Sequence, residues 1–108
     1  AEAVAEALAG LQARLLFAEG SAELSAAALS QIDRVAEAIG PNGPAVTVQG
    51  FAGGEDPNVA RRLALSRATV TRQQLGERGL NLARMNILVP AEGREAGPAD
   101  RVDILVNP

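Results

Sequence analysis

An α/β (α+β) two-layer sandwich, built from one mixed four-stranded sheet with helices on one face, is the fold class this sequence predicts. Apolar residues recur at helical spacing in three segments and alternate or cluster in four others, and the two kinds interleave in the order α-β-α-β-α-β-β. The chain ends in two consecutive strands, which one crossover pattern cannot make all parallel. At 108 residues, 47% hydrophobic and 21% charged, it has material for one core and one domain spanning residues 1–108.

Residues 1–12 are alanine-rich, with Val4, Leu8 and Leu11 at helical spacing and Gly10 near the end, and predict a first helix leading into the domain. Arg14 to Phe17 carries the apolar run Leu15–Leu16–Phe17, a short strand before the turn at Glu19–Gly20–Ser21. Ser25 is placed to cap a second helix, whose face of Leu29, Ile32, Val35, Ala36 and Ile39 ends at Gly40–Pro41. Ala45 to Gln49 alternates Val46 and Val48 with Thr47 and Gln49, a strand with one buried face, and Gly50 to Gly54 is expected to break it. Asp56–Pro57 reads as a cap followed by proline at the first helical position, opening a long helix that Gly76 and Gly79 end. Met85–Ile87–Val89 and Val102–Ile104–Val106 are the last two strands, joined by a Gly-, Pro- and charge-rich loop over residues 90–100.

The missing residue types restrict the chemistry. The sequence has no His, Cys, Trp, Tyr or Lys; all ten basic residues are Arg. Serine therefore lacks its usual general bases, ordinary zinc and redox sites cannot be assembled, and carboxylates are left as the acid–base candidates. No cofactor and no metal are expected. A net charge of −3 and two aromatics, Phe17 and Phe51, argue against nucleic acid, which needs phosphate-tracking charge and stacking surfaces. No stretch approaches the ~20 apolar residues of a membrane span, so no membrane insertion is expected from this segment. Because the chain begins at Ala1, a processed protein or excised domain is expected, with any targeting segment outside it.

The loop after the second strand leads into a capped helix, where open α/β folds commonly place ligand contacts, so residues 50–67 are the region of interest. On a helix starting near Pro57, Val59, Leu63 and Val70 fall within about 40° of one another, and Arg67 lands on the edge of that face. Two readings stand. Arg67 covers apolar surface with its stem or pairs with Glu55 or Asp56; or its planar guanidinium holds a ligand carboxylate in a bidentate pair. Arg62 adds positive charge as a solvated flank, and Gly53–Gly54 matches no phosphate-loop spacing. Glu92, Glu95, Asp100 and Asp103 lack ligand spacing and are assigned no chemistry.

Several segments together resemble the OmpA-like C-terminal domain family: Leu16–Phe17, Gly20 to Leu24, Val46 to Gly50, Leu63 to Ala68 followed by Leu75, and Asp100 to Ile104. The match runs from about Arg14 to Val106, and its most specific part is the helix carrying Leu63, Arg67 and Ala68. The resemblance implies a non-catalytic periplasmic domain, tethered to a membrane by a segment outside this chain, that binds the diaminopimelate of the peptidoglycan stem peptide. In that family an Asp after the second strand and an Arg on the following helix hold the ligand. Arg67 falls at the Arg. The family motif of Gly, a variable residue, Thr and Asp reads here as Gly50–Phe51–Ala52–Gly53, so the acid is missing. Ala60 replaces the family Asn, Ala64 the Ser of its Leu-Ser pair, and Asp100 one of the paired arginines near the C-terminus, leaving Arg101.

Loss of the acid removes a charge-assisted bond to the ligand ammonium, and weakened affinity is expected. Glu55 and Asp56 are the candidates to supply a carboxylate from a differently shaped loop, although Asp56 is also the expected cap. The implied site comprises Arg67, Gly50, Phe51, Ala52, Gly53, Glu55, Asp56 and Arg62. The alternative is a ligand-free OmpA-like fold acting as a structural module, a homodimer surface or a contact for a periplasmic protein partner.

Overall fold

The computed structural model describes residues 11–40, 43–54, 56–89 and 100–106. Strand β1 (Leu11–Leu16) leads to helix α1 (Ala26–Ile39), strand β2 (Val46–Phe51), helix α2 (Pro57–Glu77), a 3-10 turn (Leu82–Arg84), strand β3 (Met85–Leu88) and strand β4 (Arg101–Val106). The sheet order is β1-β4-β2-β3, with β4 antiparallel to both β1 and β2, and β3 parallel to β2. The mixed sheet expected from the element order is therefore present.

Inward residues of the strands, Leu15, Val46, Val48, Met85, Val102 and Ile104, pack with Ala28, Ile32, Val35 and Ala36 of α1 and with Ala68 and Leu75 of α2 in one cluster. Both helices thus cover the same sheet face. The other face carries a side-chain lattice: Arg14 Nε and Arg101 Nε donate to the two carboxylate oxygens of Asp103, at 2.9 and 3.2 Å, and the Arg101 guanidinium lies 3.8 Å over the Phe51 ring. That pairing explains how Arg101 and Asp103 are buried on strand positions facing away from the core.

The helix caps follow the sequence. The Ser25 hydroxyl accepts from Ala28 N, the Asp56 carboxylate accepts from Asn58 N and Val59 N, and Pro57 occupies the first turn, where its missing N–H costs nothing. Gly40, at φ +73°, closes α1 in a conformation that side chains disfavour.

Four expectations are corrected. The helix expected over residues 1–12 lies outside the described residues up to Gly10, and Leu11 and Gln12 belong to β1, where pairing with β4 overrides local helical spacing. β2 continues through Gly50 and Phe51, which pair with Val102 and Arg101, instead of breaking at Gly50. Gly76 lies inside α2, which runs to Glu77. The buried face of α2 is not the Val59–Leu63–Val70 stripe but Ala60, Ala64, Arg67, Ala68, Thr71 and Leu75, with Val59 57% exposed. The cause is close approach: a Cβ on Gly50 would sit 2.1 Å from the Ala64 carbonyl oxygen, so only small residues fit where α2 crosses β2. The loop expected over residues 90–100 lies outside the described residues except for Asp100.

Candidate functional site

That close crossing carries Arg67 inward. The chain of α2 rotates its alanines onto the sheet, and the arginine that follows Ala64 by three residues is drawn beneath the ends of β1, β2 and β4 with no exposed surface. Its guanidinium is held from four directions. Nε donates to Ser21 O at 2.7 Å, Nη2 to Ala18 O at 3.0 Å, and Nη1 to both Phe51 O and Asp100 Oδ1 at 2.9 Å. The Phe17 ring lies 5.1 Å from the guanidinium carbon. One side chain thus joins the loop after β1, the end of β2 and the residue that precedes β4, using the fixed fork that lysine lacks.

Asp100, which has no metal-ligand spacing to the other carboxylates in the sequence, is the acid partner. Its Oδ1 accepts from Arg67 Nη1 and also from the backbone N–H of Gly53 at 3.2 Å, while its carbonyl accepts from Phe17 N at 3.0 Å. Burial pushes its pKa up, but the hydrogen bond from Arg67, the one from Gly53 and the Arg67 charge outweigh that, holding it below the ordinary value of 3.8. The carboxylate is therefore an anion at neutral pH, and its side chain is 26% exposed. Arg67 does pair with a carboxylate, but with one that β4 brings rather than with Glu55 or Asp56.

The other expected site residues are distributed as follows. Gly50 makes the α2 crossing, Phe51 contributes its carbonyl to Arg67 and its ring to Arg101, and Ala52 is buried with Ala60 and Ala64. Gly53 presents its N–H to Asp100. Asp56 is exposed and capping α2, Arg62 is exposed on the outer side of the helix, and Glu55 lies outside the described residues. Gly50, Phe51, Gly53 and Arg67 therefore come together, whereas Asp56 and Arg62 do not join them. The place expected for a ligand carboxylate on Arg67 is filled by Asp100 and three main-chain carbonyls.

A signal for Asp100 existed in the sequence. An acid is absent at Gly53 and a base is absent at Asp100, so the two departures from the family pattern are opposite in charge. Among the described residues no three His, Cys, Asp or Glu side chains cluster as metal ligands, and no helix is long and apolar enough to cross a membrane.

Fold and site together define a small two-layer α+β domain in which a buried helical arginine clasps the strand ends to a partly exposed carboxylate. The family model for the OmpA family matches residues 16–104, and the chain belongs to that family. Solved structures share the fold. The C-terminal domain of Helicobacter pylori MotB aligns at 19% identity with a TM-score of 0.75, over 89% of this chain and 84% of that one. The OmpA-like domain of FopA1 from Francisella tularensis aligns at 21% and 0.71, over 86% and 69%. The peptidoglycan-associated lipoprotein from Burkholderia pseudomallei aligns at 20% and 0.69, over 87% and 89%. No curated protein sequence matches the chain.

Proposed function

We propose that this domain is a non-catalytic periplasmic module that binds peptidoglycan through the diaminopimelate of its stem peptide. The observation that carries this reading is Arg67, which stands at the family's ligand arginine and gathers the end of β2 and a partly exposed carboxylate into one charged site. A relative with the same fold is named for its association with peptidoglycan, which supports the same ligand class. With no Trp or Tyr to stack on sugar rings, recognition falls to the charged peptide.

A second reading, a ligand-free module that serves structure or protein contact, is favoured by the complete burial of Arg67, whose bonds are internal. Co-sedimentation separates the two. The peptidoglycan reading expects the folded chain to pellet with sacculi containing diaminopimelate and to remain in solution with sacculi whose stem peptide carries lysine. A folded chain that stays in solution with both refutes it.

A further inference from the structure

We infer that Asp100 is the specificity-determining carboxylate of this site, accepting the ligand's ammonium group at Oδ2 while Arg67 and Gly53 position it. This rests on the cell-wall reading above and names the group that reads the ligand.

Three observations carry it. The carboxylate is fixed on one side: Oδ1 takes the Arg67 Nη1 and Gly53 N hydrogen bonds, so its plane is set by a buried cation and by the main chain of the loop after β2. Among the described residues no donor reaches its other oxygen, Oδ2, and the side chain is 26% exposed. A charged acceptor at the rim of a desolvated pair favours an N–H donor, and a cationic one most.

The third observation is charge balance. Arg67 and Asp100 neutralise one another, so a lone ammonium docking on Oδ2 would leave an unbalanced charge, whereas an amino-acid centre carrying both ammonium and carboxylate brings none. Diaminopimelate ends in such a centre; a lysine side chain does not. Gly53, whose N–H meets Asp100, has no side chain to block the approach of a ligand. Gly53 is not among the positive-φ glycines of the described residues, so its backbone does not itself demand glycine. The carboxylate missing from the loop after β2 is thus delivered to the same corner by the residue that precedes β4.

The test uses a soluble stem tripeptide ending in diaminopimelate, the same peptide with its free amine acetylated, and the wild-type and Asp100→Asn chains. Asparagine keeps an oxygen acceptor for Arg67 and Gly53 but removes the charge. Titration calorimetry is expected to show wild-type binding weakened at least about tenfold by acetylation, and by Asp100→Asn to a similar extent, the loss typical of a charge-assisted bond. In the unmodified chain, the Gly53 amide and Asp100 carboxyl resonances should shift with the free peptide and stay in place with the acetylated one. This second readout holds even where the variant folds poorly. Binding that Asp100→Asn leaves intact, or a saturating peptide that moves neither resonance, overturns the inference and leaves the cell-wall reading standing. Failure of the wild-type chain to bind either sacculi or peptide removes both.

Discussion

Replacing Arg67 by alanine removes four hydrogen bonds, leaving the carbonyls of Ala18, Ser21 and Phe51 and the carboxylate of Asp100 without their donor. Breaking a buried ion pair from one side typically costs about 3–5 kcal/mol, and each stranded buried acceptor about 1–3 kcal/mol, the two overlapping rather than adding. Asp100 is 26% exposed and recovers part of its loss from water, so about 3–5 kcal/mol is the working figure for the whole substitution. A domain of this size is stable by roughly 5–15 kcal/mol, so the variant should sit near the edge of folding, with its melting temperature lowered by at least about 12 °C. Urea unfolding followed by circular dichroism measures this in a chain without Trp or Tyr. Arg67→Lys should fall between the two, because an ammonium keeps the charge but cannot span acceptors on three sides. An Arg67→Ala chain within about 0.5 kcal/mol of wild type would refute the internal clasp.

The Asp100 pair also fixes a pH dependence. With its folded-state pKa held below the ordinary 3.8, Asp100 contributes stability that is complete above that value and lost as pH falls through the folded pKa. The stability difference between wild type and Asp100→Asn should therefore shrink on acidification below about pH 4, and a constant difference from pH 6 to pH 2 would contradict the pairing. Gly50→Ala should destabilise by about 1–3 kcal/mol or more in denaturant titration, because its Cβ would meet the Ala64 carbonyl at 2.1 Å and α2 must move off β2. Asp56→Ala should cost about 1 kcal/mol through the lost α2 cap, read as a lower urea midpoint with an unchanged slope.

What the sequence made legible was local. Ser25, Gly40 and the Asp56–Pro57 pair act through bonds within a turn of themselves, and the Val46–Val48 and Val102–Ile104 alternations depend only on the two-residue strand period. What stayed hidden was set by approach distances and register. The buried face of α2 could not be found from hydrophobicity, because Gly50 admits the helix so closely that alanines face the sheet and Val59 is left outside. The continuation of β2 through Gly50–Phe51 depends on β4 lying alongside to pair with it. Arg67 was legible as a charge near an apolar stripe, but its partner lies 33 residues away, and the Phe51–Arg101 register is what brings Asp100 against Gly53.

Thermal unfolding of the wild-type chain with increasing stem tripeptide tests most directly the claim that the folded site around Arg67 and Asp100 takes the cell-wall peptide. A ligand that binds only the folded state adds about 2.7 kcal/mol when its concentration is one hundred times Kd. The melting temperature is expected to rise with the logarithm of peptide concentration and not to rise with the amine-acetylated peptide. A melting temperature that stays constant up to millimolar peptide would contradict that claim.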